Sequence, residues 1–287
     1  MVLETRFTRL VGCTVPIQLA GMGAATRAEL TAAVSNAGGL GMLGCAFGEG
    51  GPDGIALQLT RTRALTSRPV GANFVIIDGA PPIDPACFEA AASLAQVVEF
   101  FLWAAPDAGL IDLTHRLGAL VSCQVGSAEE AKQAVGAGAD MIVAQGYEAG
   151  GHVRGTVGLL PLLSEVLEAV DVPVIAAGGI GTARAMAAAL AAGADGVRVG
   201  TRFVASAEAW VHPGYKQALI DARARDSVYT HTFSVGWDAP HRVLRSAVVA
   251  AESFDGDVVG ERVQWWDSTR VPLRRFARGM PFEWTTG

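Results

Sequence analysis

Short apolar runs alternate with alanine-rich stretches over the first two hundred residues of the chain. The apolar runs have the length of buried strands, and the stretches between them read as helices. Strands and helices that alternate in this way form a parallel sheet, because each crossover helix returns the chain to the same edge. The pattern predicts eight strands, at Ile17–Ala20, Gly41–Leu43, Val70–Val75, Val97–Phe101, Leu120–Val125, Met141–Ala144, Val174–Ala176 and Val197–Val199.

Seven helices are predicted between the strands, and several are followed by the glycine that a helix C-terminus favours. They lie at Arg27–Ala37, Gly54–Leu65, Pro85–Ala92, Ala108–Leu117, Ala128–Ala137, Leu159–Val170 and Thr182–Ala192. A repeat supports one continuous architecture, since Ala134–Gly146 resembles Leu190–Gly200: each is a helix end, a glycine turn and a buried strand. Eight such units predict an α/β fold, a (β/α)8 TIM barrel with a C-terminal cap segment. A doubly wound open sheet is the alternative, but no G-x-G-x-x-G phrase follows the first strand.

The chain changes character after residue 212. Aromatic and charged residues become more frequent, the alanine-rich periodicity ends, and the phrase SVGWDAPHRV is expected to be a loop. We predict a cofactor-binding barrel core over residues 1–212. Residues 213–287 are predicted to pack on the barrel and to cover the substrate site.

Composition narrows the range of partners. The 287 residues are 51% hydrophobic and 17% charged, with a net charge of −6, so the chain has no basic field for nucleic acid or an anionic membrane. Its four cysteines form no C-x-x-C pair and lie in apolar stretches, and we expect them to be reduced and buried. Neither an export signal nor an apolar run of about 18 residues is visible. A cytoplasmic enzyme with a small-molecule substrate is expected.

Glycine-rich turns follow the last two strands of the predicted barrel, and the catalytic end of such a barrel is where its strands end. AAGGIGTARA follows strand seven and GTRFVAS follows strand eight. Backbone amides without a nearby Cβ, together with a helix N-terminus, can hold a phosphate. The four candidates are Gly178, Gly179, Gly200 and Thr201. The alternative is that these glycines are only turn residues.

The loop after strand six, QGYEAGGHVRG, carries the strongest catalytic candidate. Gly150 and Gly151 allow backbone to lie flat against a ligand, and His152 follows them. An imidazole there can transfer a proton near neutral pH or donate to a developing anion. The alternative is an ordinary polar histidine. Glu148 is either a site residue or the cap of a turn.

Other side chains are expected at the mouth from the opposite wall. Gly21, Met22, Asn73 and Gln124 end or follow their strands, and an amide offers both a donor and an acceptor to a heteroaromatic ring. Met22 is also compatible with a core position. His231 and His241, in the C-terminal segment, are candidates for substrate contact. His115 is expected to be solvated. No metal-ligand spacing and no G-x-S-x-G phrase is present, which disfavours metal and serine hydrolases.

Several phrases resemble, in the same order, the nitronate monooxygenase family, formerly 2-nitropropane dioxygenases, and the related FMN-dependent enoyl-ACP reductases. They are GLGMLG, QVGSAEEA, GADMIVAQGYEAGGH, PVIAAGGIGTARAMAAALAAGADGVRVGTRF and HPGYKQALI. The resemblance spans roughly residues 15–245 and implies an FMN-binding barrel in which His152 is catalytic. The cofactor contacts that it implies are Gly21, Met22, Asn73, Gln124, Gln145, Ala149, Gly150, Gly151, Gly178, Gly179, Gly200 and Thr201.

This chain also departs from the family. QLAGM stands where relatives often have a QAPM phrase, and Gln124 stands where many have lysine, which removes a positive charge near the cofactor. The resemblance implies oxidation of alkyl nitronates by FMN and dioxygen to a carbonyl compound and nitrite. NAD(P)H-dependent reduction of quinones or enoyl thioesters is the alternative, and a flavin-binding protein without catalysis is the second alternative. The sequence leaves open whether NAD(P)H reduces the flavin and whether the protein forms a homodimer.

Overall fold

The computed structural model describes residues 3–235, 237–264 and 266–277, with the backbone of 285–286. Fourteen strands occur in the described part: β1 Ile17–Leu19, β2 Gly41–Ala46, β3 Val70–Ile77, β4 Val97–Trp103, β5 Leu120–Val125, β6 Met141–Gln145, β7 Gly151–His152, β8 Val174–Ala177, β9 Gly196–Val199, β10 Ser227–Thr230, β11 His241–Leu244, β12 Val258–Val263, β13 Arg270–Arg274 and β14 Thr285–Thr286. The helices are α1 Arg6–Val11, α2 Ala28–Asn36, α3 Gly51–Leu65, α4 Pro85–Leu94, α5 Ala108–Arg116, α6 Ala128–Gly136, α7 Leu159–Ala169, α8 Ala183–Ala191, α9 Thr201–Val204, α10 Pro213–Asp221 and α11 Arg245–Ser253, with 3-10 turns at Gly23–Ala25 and Ala224–Asp226.

Eight parallel strands form one sheet in the order β1-β9-β8-β6-β5-β4-β3-β2. The two ends of this sheet meet, because Gln18 of β1 bridges in parallel to Leu40, the residue before β2. Leu19 N–H donates to the Leu40 carbonyl at 2.9 Å, and Leu40 N–H donates to the Ile17 carbonyl at 2.8 Å. The predicted α/β barrel is confirmed.

Polar caps set the starts of the helices that surround the barrel. Ser127 caps α6 by accepting from Glu130 N–H at 3.2 Å, and Thr182 caps α8 by accepting from Ala185 N–H at 3.2 Å. Each side chain satisfies an amide that has no partner within its helix. Both helices therefore begin at the carboxyl-terminal end of the barrel, because each follows the loop that leaves its preceding strand, β5 or β8.

Apolar side chains form two layers. One lies between the strands and the outer helices, and the other fills the barrel interior and its lower end. Phe7 of α1 is fully buried in the interior layer, and Arg6 pairs with Asp195 at 2.7 Å just before β9. Helix α1 thus closes the amino-terminal end of the barrel, which leaves the carboxyl-terminal end for chemistry.

The C-terminal segment contributes a strand where the sequence indicated a loop. His241–Leu244, the end of SVGWDAPHRV, forms β11, which pairs antiparallel with β10 on one side and with β7 on the other. The prediction of a continuous loop is wrong there, because β11 is completed by pairing with β7, which is distant in sequence. Gly236 of that phrase lies outside the described residues, as do 278–284 and 287. Within the described ranges, no helix is long and apolar enough to cross a bilayer.

Candidate active site

Three glycine-containing loops meet at the carboxyl end of the barrel. A Cβ placed on Gly150, after β6, would lie 2.6 Å from Thr201 Oγ1, after β9. A Cβ placed on Gly178, after β8, would lie 3.2 Å from both the Ala149 amide nitrogen and the Gly146 carbonyl oxygen. A side chain at Gly150 or at Gly178 would therefore crowd the neighbouring loop.

The backbone of these loops has the geometry that suits an anion. Gly178 and Gly179 have φ values of 119° and 67°, in the left-handed region that favours glycine. Gly200 is the N-cap of α9, so Thr201 presents an amide of the first helical turn. A Cβ on Gly200 would lie 3.5 Å from Met22 Sδ, which brings the loop after β1 to the same place. The arrangement can hold a phosphate against backbone amides.

His152 lies at the edge of this cluster in β7. Its carbonyl accepts from Gln145 Nε2 at 2.9 Å, and β7 pairs with β11, where His241 stands opposite His152. The two imidazole rings are 3.6 Å apart between centroids. His241, from the C-terminal segment, is therefore part of the candidate site. The sequence had given it as a candidate for substrate contact.

Aromatic rings surround the imidazole. Trp237 lies 3.8 Å from His152 between ring centroids, and Trp103, at the end of β4, lies 6.3 Å from it. Trp103 and Trp237 contact each other edge to face at 4.9 Å, and Phe47 and Phe101 contact Trp237 at 5.8 and 6.5 Å. A substrate that reaches His152 therefore meets apolar ring faces, which favour a small apolar group beside the reacting atoms.

Gln145 provides an unused acceptor in this site. It is the last residue of β6 and is 7% exposed. Its Nε2 donates to the His152 carbonyl, whereas its Oε1 is buried without a hydrogen-bond partner among the residues that the structure describes. A buried acceptor of this kind is costly to leave unpaired, so it suits a ligand that carries an N–H group.

Asn73 and Gln124 lie in the barrel interior, where they join a polar network. Asn73 Nδ2 donates to Glu99 Oε1 at 2.8 Å, and a Cβ on Gly21 would lie 2.7 Å from Asn73 Oδ1. Gln124 Oε1 accepts from Arg198 Nη1. Gly21 and Asn73 thus lie close together, whereas Gln124 stands on β5, four strands from β1 around the barrel. Glu99 holds the Asn73 amide, and Arg198 holds that of Gln124.

Two charged residues anchor this network, Glu99 and Arg198, and neither is among the candidates predicted from the sequence. Glu99 is fully buried, Arg198 is 5% exposed, and Arg198 Nη2 contacts the Glu99 carboxylate. The sequence carries a signal for both residues, because each is the one charged residue in an apolar run, VVEFFLW or GVRVG. A charge that is buried with such a run requires a partner. Burial lowers the pKa of the Arg198 guanidinium to about 9.

The remaining polar candidates have structural contacts. Glu148 accepts from Leu159 N–H, at the start of α7, with both carboxylate oxygens at 3.1 and 3.0 Å. It is therefore a helix cap, one of its two predicted interpretations. His115, expected to be solvated, is half-exposed and pairs with Asp140 at 2.9 Å, because α5 packs near the start of β6. His231 lies in an exposed pair with Asp238 at 3.7 Å.

All four cysteines are buried, as predicted, and each is a free thiol. Burial raises the pKa of Cys13 to about 11 and that of Cys123 to about 12. Among the described residues, no cluster of three or more histidine, cysteine or acidic side chains could hold a metal ion.

Comparison with known proteins identifies the family. The nitronate monooxygenase family model matches residues 4–99 and 89–264. The chain belongs to the nitronate monooxygenase family. It is therefore an oxidoreductase, as the sequence resemblance predicted.

Members of the nitronate monooxygenase family and related proteins match most of the chain. A nitronate monooxygenase from Paraburkholderia phytofirmans is 33% identical over 269 residues, which is 78% of this chain and 73% of that protein. A Rhodococcus jostii protein named (3aS,4S,5R,7aS)-5-hydroxy-7a-methyl-1-oxo-octahydro-1H-indene-4-carboxyl-CoA dehydrogenase is 36% identical over 263 residues, 90% of this chain and 70% of the relative. The solved structure of FabK from Thermotoga maritima matches with a TM-score of 0.77 and 38% identity, over 86% of this chain and 78% of that chain.

Proposed function

We propose that this chain is an FMN-dependent oxidoreductase that oxidises alkyl nitronates with dioxygen to a carbonyl compound and nitrite. The observation that carries the proposal is the position of His152. Its imidazole lies in contact with Trp237 and His241, next to the loop whose Gly150 adjoins Thr201. The His152 imidazole, which can donate or accept a proton, is thus next to glycine loops that suit an anionic cofactor. The aromatic rings around it form an apolar enclosure.

The residues present fit FMN. Backbone at Gly178, Gly179, Gly200 and Thr201 suits its phosphate, because Gly200 and Thr201 start a helix and an added Cβ at Gly178 would crowd the neighbouring Ala149 amide. The unpaired Oε1 of Gln145 suits an N–H donor of the isoalloxazine ring. When bound, FMN accepts electrons from the substrate and passes them to dioxygen.

The protein's own groups handle the substrate. His152 donates a hydrogen bond to an anionic nitronate, and it removes the α-proton when the substrate arrives as a neutral nitroalkane. Trp103 and Trp237 exclude water from the alkyl group and limit its size. We infer that the C-terminal segment contributes to the cover of this site, since its residues Trp237 and His241 both contact His152.

His152→Ala tests the role of the imidazole. We expect nitrite formation to fall by about 100-fold or more, in the range that general acid–base catalysis contributes. The loss should be larger with a neutral nitroalkane than with its preformed nitronate, because only the former needs a base. FMN affinity, measured by quenching of free FMN fluorescence, should stay the same.

His115→Ala is the matched control. This imidazole pairs with Asp140 at 2.9 Å and makes no contact with the aromatic enclosure in the described structure. Nitrite formation by this variant should equal that of the unmodified protein. Equal loss in both variants, or no loss in His152→Ala, would remove His152 from the chemistry.

Dehydrogenation of an acyl-CoA thioester, or its reverse with NAD(P)H, is the second candidate. One observation favours it: the chain is 36% identical to the carboxyl-CoA dehydrogenase, and the match covers 90% of this chain. The match to the nitronate monooxygenase covers 78% of it. A thioester also acidifies its α-proton, so His152 could serve the same role.

Anaerobic reduction of the bound flavin separates the two candidates. The protein is loaded with FMN, and its visible absorption is followed after addition of a propyl nitronate, a hydroxyacyl-CoA or NADH. Bleaching by the nitronate with subsequent nitrite release in air supports the first candidate. Bleaching only by the thioester or by NADH replaces it with the second. A protein that takes up no FMN contradicts both.

A further inference from the structure

An ion pair lies inside the barrel, below the residues that face its mouth. Arg198, in β9, is 5% exposed, and Glu99, in β4, is fully buried. Arg198 Nη2 contacts Glu99 Oε2. Neither charge is used by the proposed chemistry at His152, and a buried pair of this kind is weak evidence for stability alone. The amide side chains that hydrogen-bond to this pair indicate a role in orienting them.

The pair dictates which way three amide side chains point. A guanidinium has only donors, so the oxygens of Gln18 and Gln124 must face it. Arg198 Nε donates to Gln18 Oε1 at 3.3 Å, and Nη1 donates to Gln124 Oε1. An ionised carboxylate has only acceptors, so it receives the nitrogens: Gln18 Nε2 donates to Glu99 Oε2 at 3.2 Å.

Two of these amides then offer defined atoms on their other side. Asn73 Nδ2 donates to Glu99 Oε1 at 2.8 Å, which leaves Oδ1 on the side of Gly21. Gln124 Oε1 is held by Arg198, which leaves the two Nε2 hydrogens for other contacts. The polar network in the barrel interior therefore presents an acceptor at Asn73 and a donor at Gln124. Without the ion pair, either amide could rotate and exchange them.

We propose that Arg198 and Glu99 are positioning residues that hold Gln124 as a hydrogen-bond donor, and Asn73 as an acceptor, toward the flavin ring. This inference rests on the proposed function, because it takes FMN as the ligand. A donor at Gln124 favours the reduced flavin, whose ring carries more negative charge than that of the oxidised form. The network thus raises the reduction potential of the bound flavin through hydrogen-bond orientation.

The double variant Arg198→Met with Glu99→Gln removes both charges and leaves neither unpaired. The reduction potential of its bound FMN is measured by equilibration with a redox dye. We expect the preference for reduced over oxidised flavin to fall about tenfold, which lowers the potential by about 30 mV for a two-electron couple. FMN affinity, from fluorescence quenching, should fall as well.

Gln124→Glu tests the same donor without removing the ion pair. The new carboxylate can still accept from Arg198, but it has no N–H group to offer the flavin. We expect the potential to fall at least as far as in the double variant. If the double variant does not fold, the potential of Gln124→Glu decides the question.

Arg6→Met is the matched control, because it removes a different arginine–carboxylate pair at the opposite end of β9, where Arg6 contacts Asp195 at 2.7 Å. It should lower the unfolding temperature and leave the flavin potential unchanged. Unmodified protein that takes up no FMN would contradict the proposed function itself. Unmodified protein that binds FMN, with an unchanged potential in folded double variant or in Gln124→Glu, would overturn only the role of the network.

Discussion

Replacement of Gly178 by alanine tests the glycine cradle most directly. Gly178 has a φ of 119°, which an alanine adopts only with strain of about 1–2 kcal/mol. The new Cβ would also lie 3.2 Å from the Ala149 nitrogen and the Gly146 oxygen, both backbone atoms. Crowding of this kind costs about 1–3 kcal/mol in a packed region. We expect Gly178→Ala to lower the free energy of unfolding by about 2–5 kcal/mol.

The same substitution should weaken the cofactor site, because relief of the contact moves the 146–149 loop away from Gly178. A displacement that removes one hydrogen bond to a charged phosphate should weaken FMN binding by roughly tenfold or more, since such a bond contributes about 1.5–3 kcal/mol. Urea unfolding with and without FMN gives the stability, and fluorescence quenching gives the affinity.

Gly118→Ala separates the strain from the crowding. Gly118 has a φ of 85°, and a Cβ there would meet no atom within 4 Å. It follows α5 at the end of the barrel away from the site. This control should lose about 1–2 kcal/mol of stability and no FMN affinity. Equal effects of the two substitutions on FMN binding would refute the cradle.

Two further predictions concern stability. Glu148→Ala should lower the free energy of unfolding by about 1 kcal/mol, because it removes the cap of α7, while nitrite formation stays unchanged; urea unfolding and a nitrite assay check both parts. Alkaline pH should destabilise the protein through Cys123, whose pKa is raised from 9.0 to about 12: the unfolded thiol ionises first, so stability is fully present below pH 9 and is lost toward pH 12. Cys123→Ala should reduce that loss in urea unfolding across this pH range, and an unchanged pH dependence would contradict the assignment.

Much of the fold was predictable because it is encoded locally. The strand runs and glycine-ended helices were located to within a few residues, although β3 and β4 extend further, to Ile77 and Trp103. Each extension follows from neighbouring strands, since Ile76 pairs with Leu102 and Ile77 with Trp103. Strand ends depend on such pairings, which a single run of residues does not specify.

The candidate site was predictable only in part. The glycine turns and His152 stand out because backbone conformation and an imidazole at a strand end are visible in a short phrase. The placement of Trp237 and His241 against His152 was not, because β11 pairs with β7 across some ninety residues of intervening chain. Aromatic residues in a long irregular segment carry no local signal of their partner.

By itself the sequence determined the alternation of strands and helices, the glycine turns and the residue types available for chemistry, because these depend on period and backbone freedom along a short stretch. Only the tertiary structure decided that Glu99 and Arg198 meet inside the barrel and that Glu148 caps α7. Closure of the barrel brings β4 and β9 to opposite sides of one narrow interior, where a charge from each must be paired because water is excluded. That requirement belongs to the closed fold and to no single segment of it.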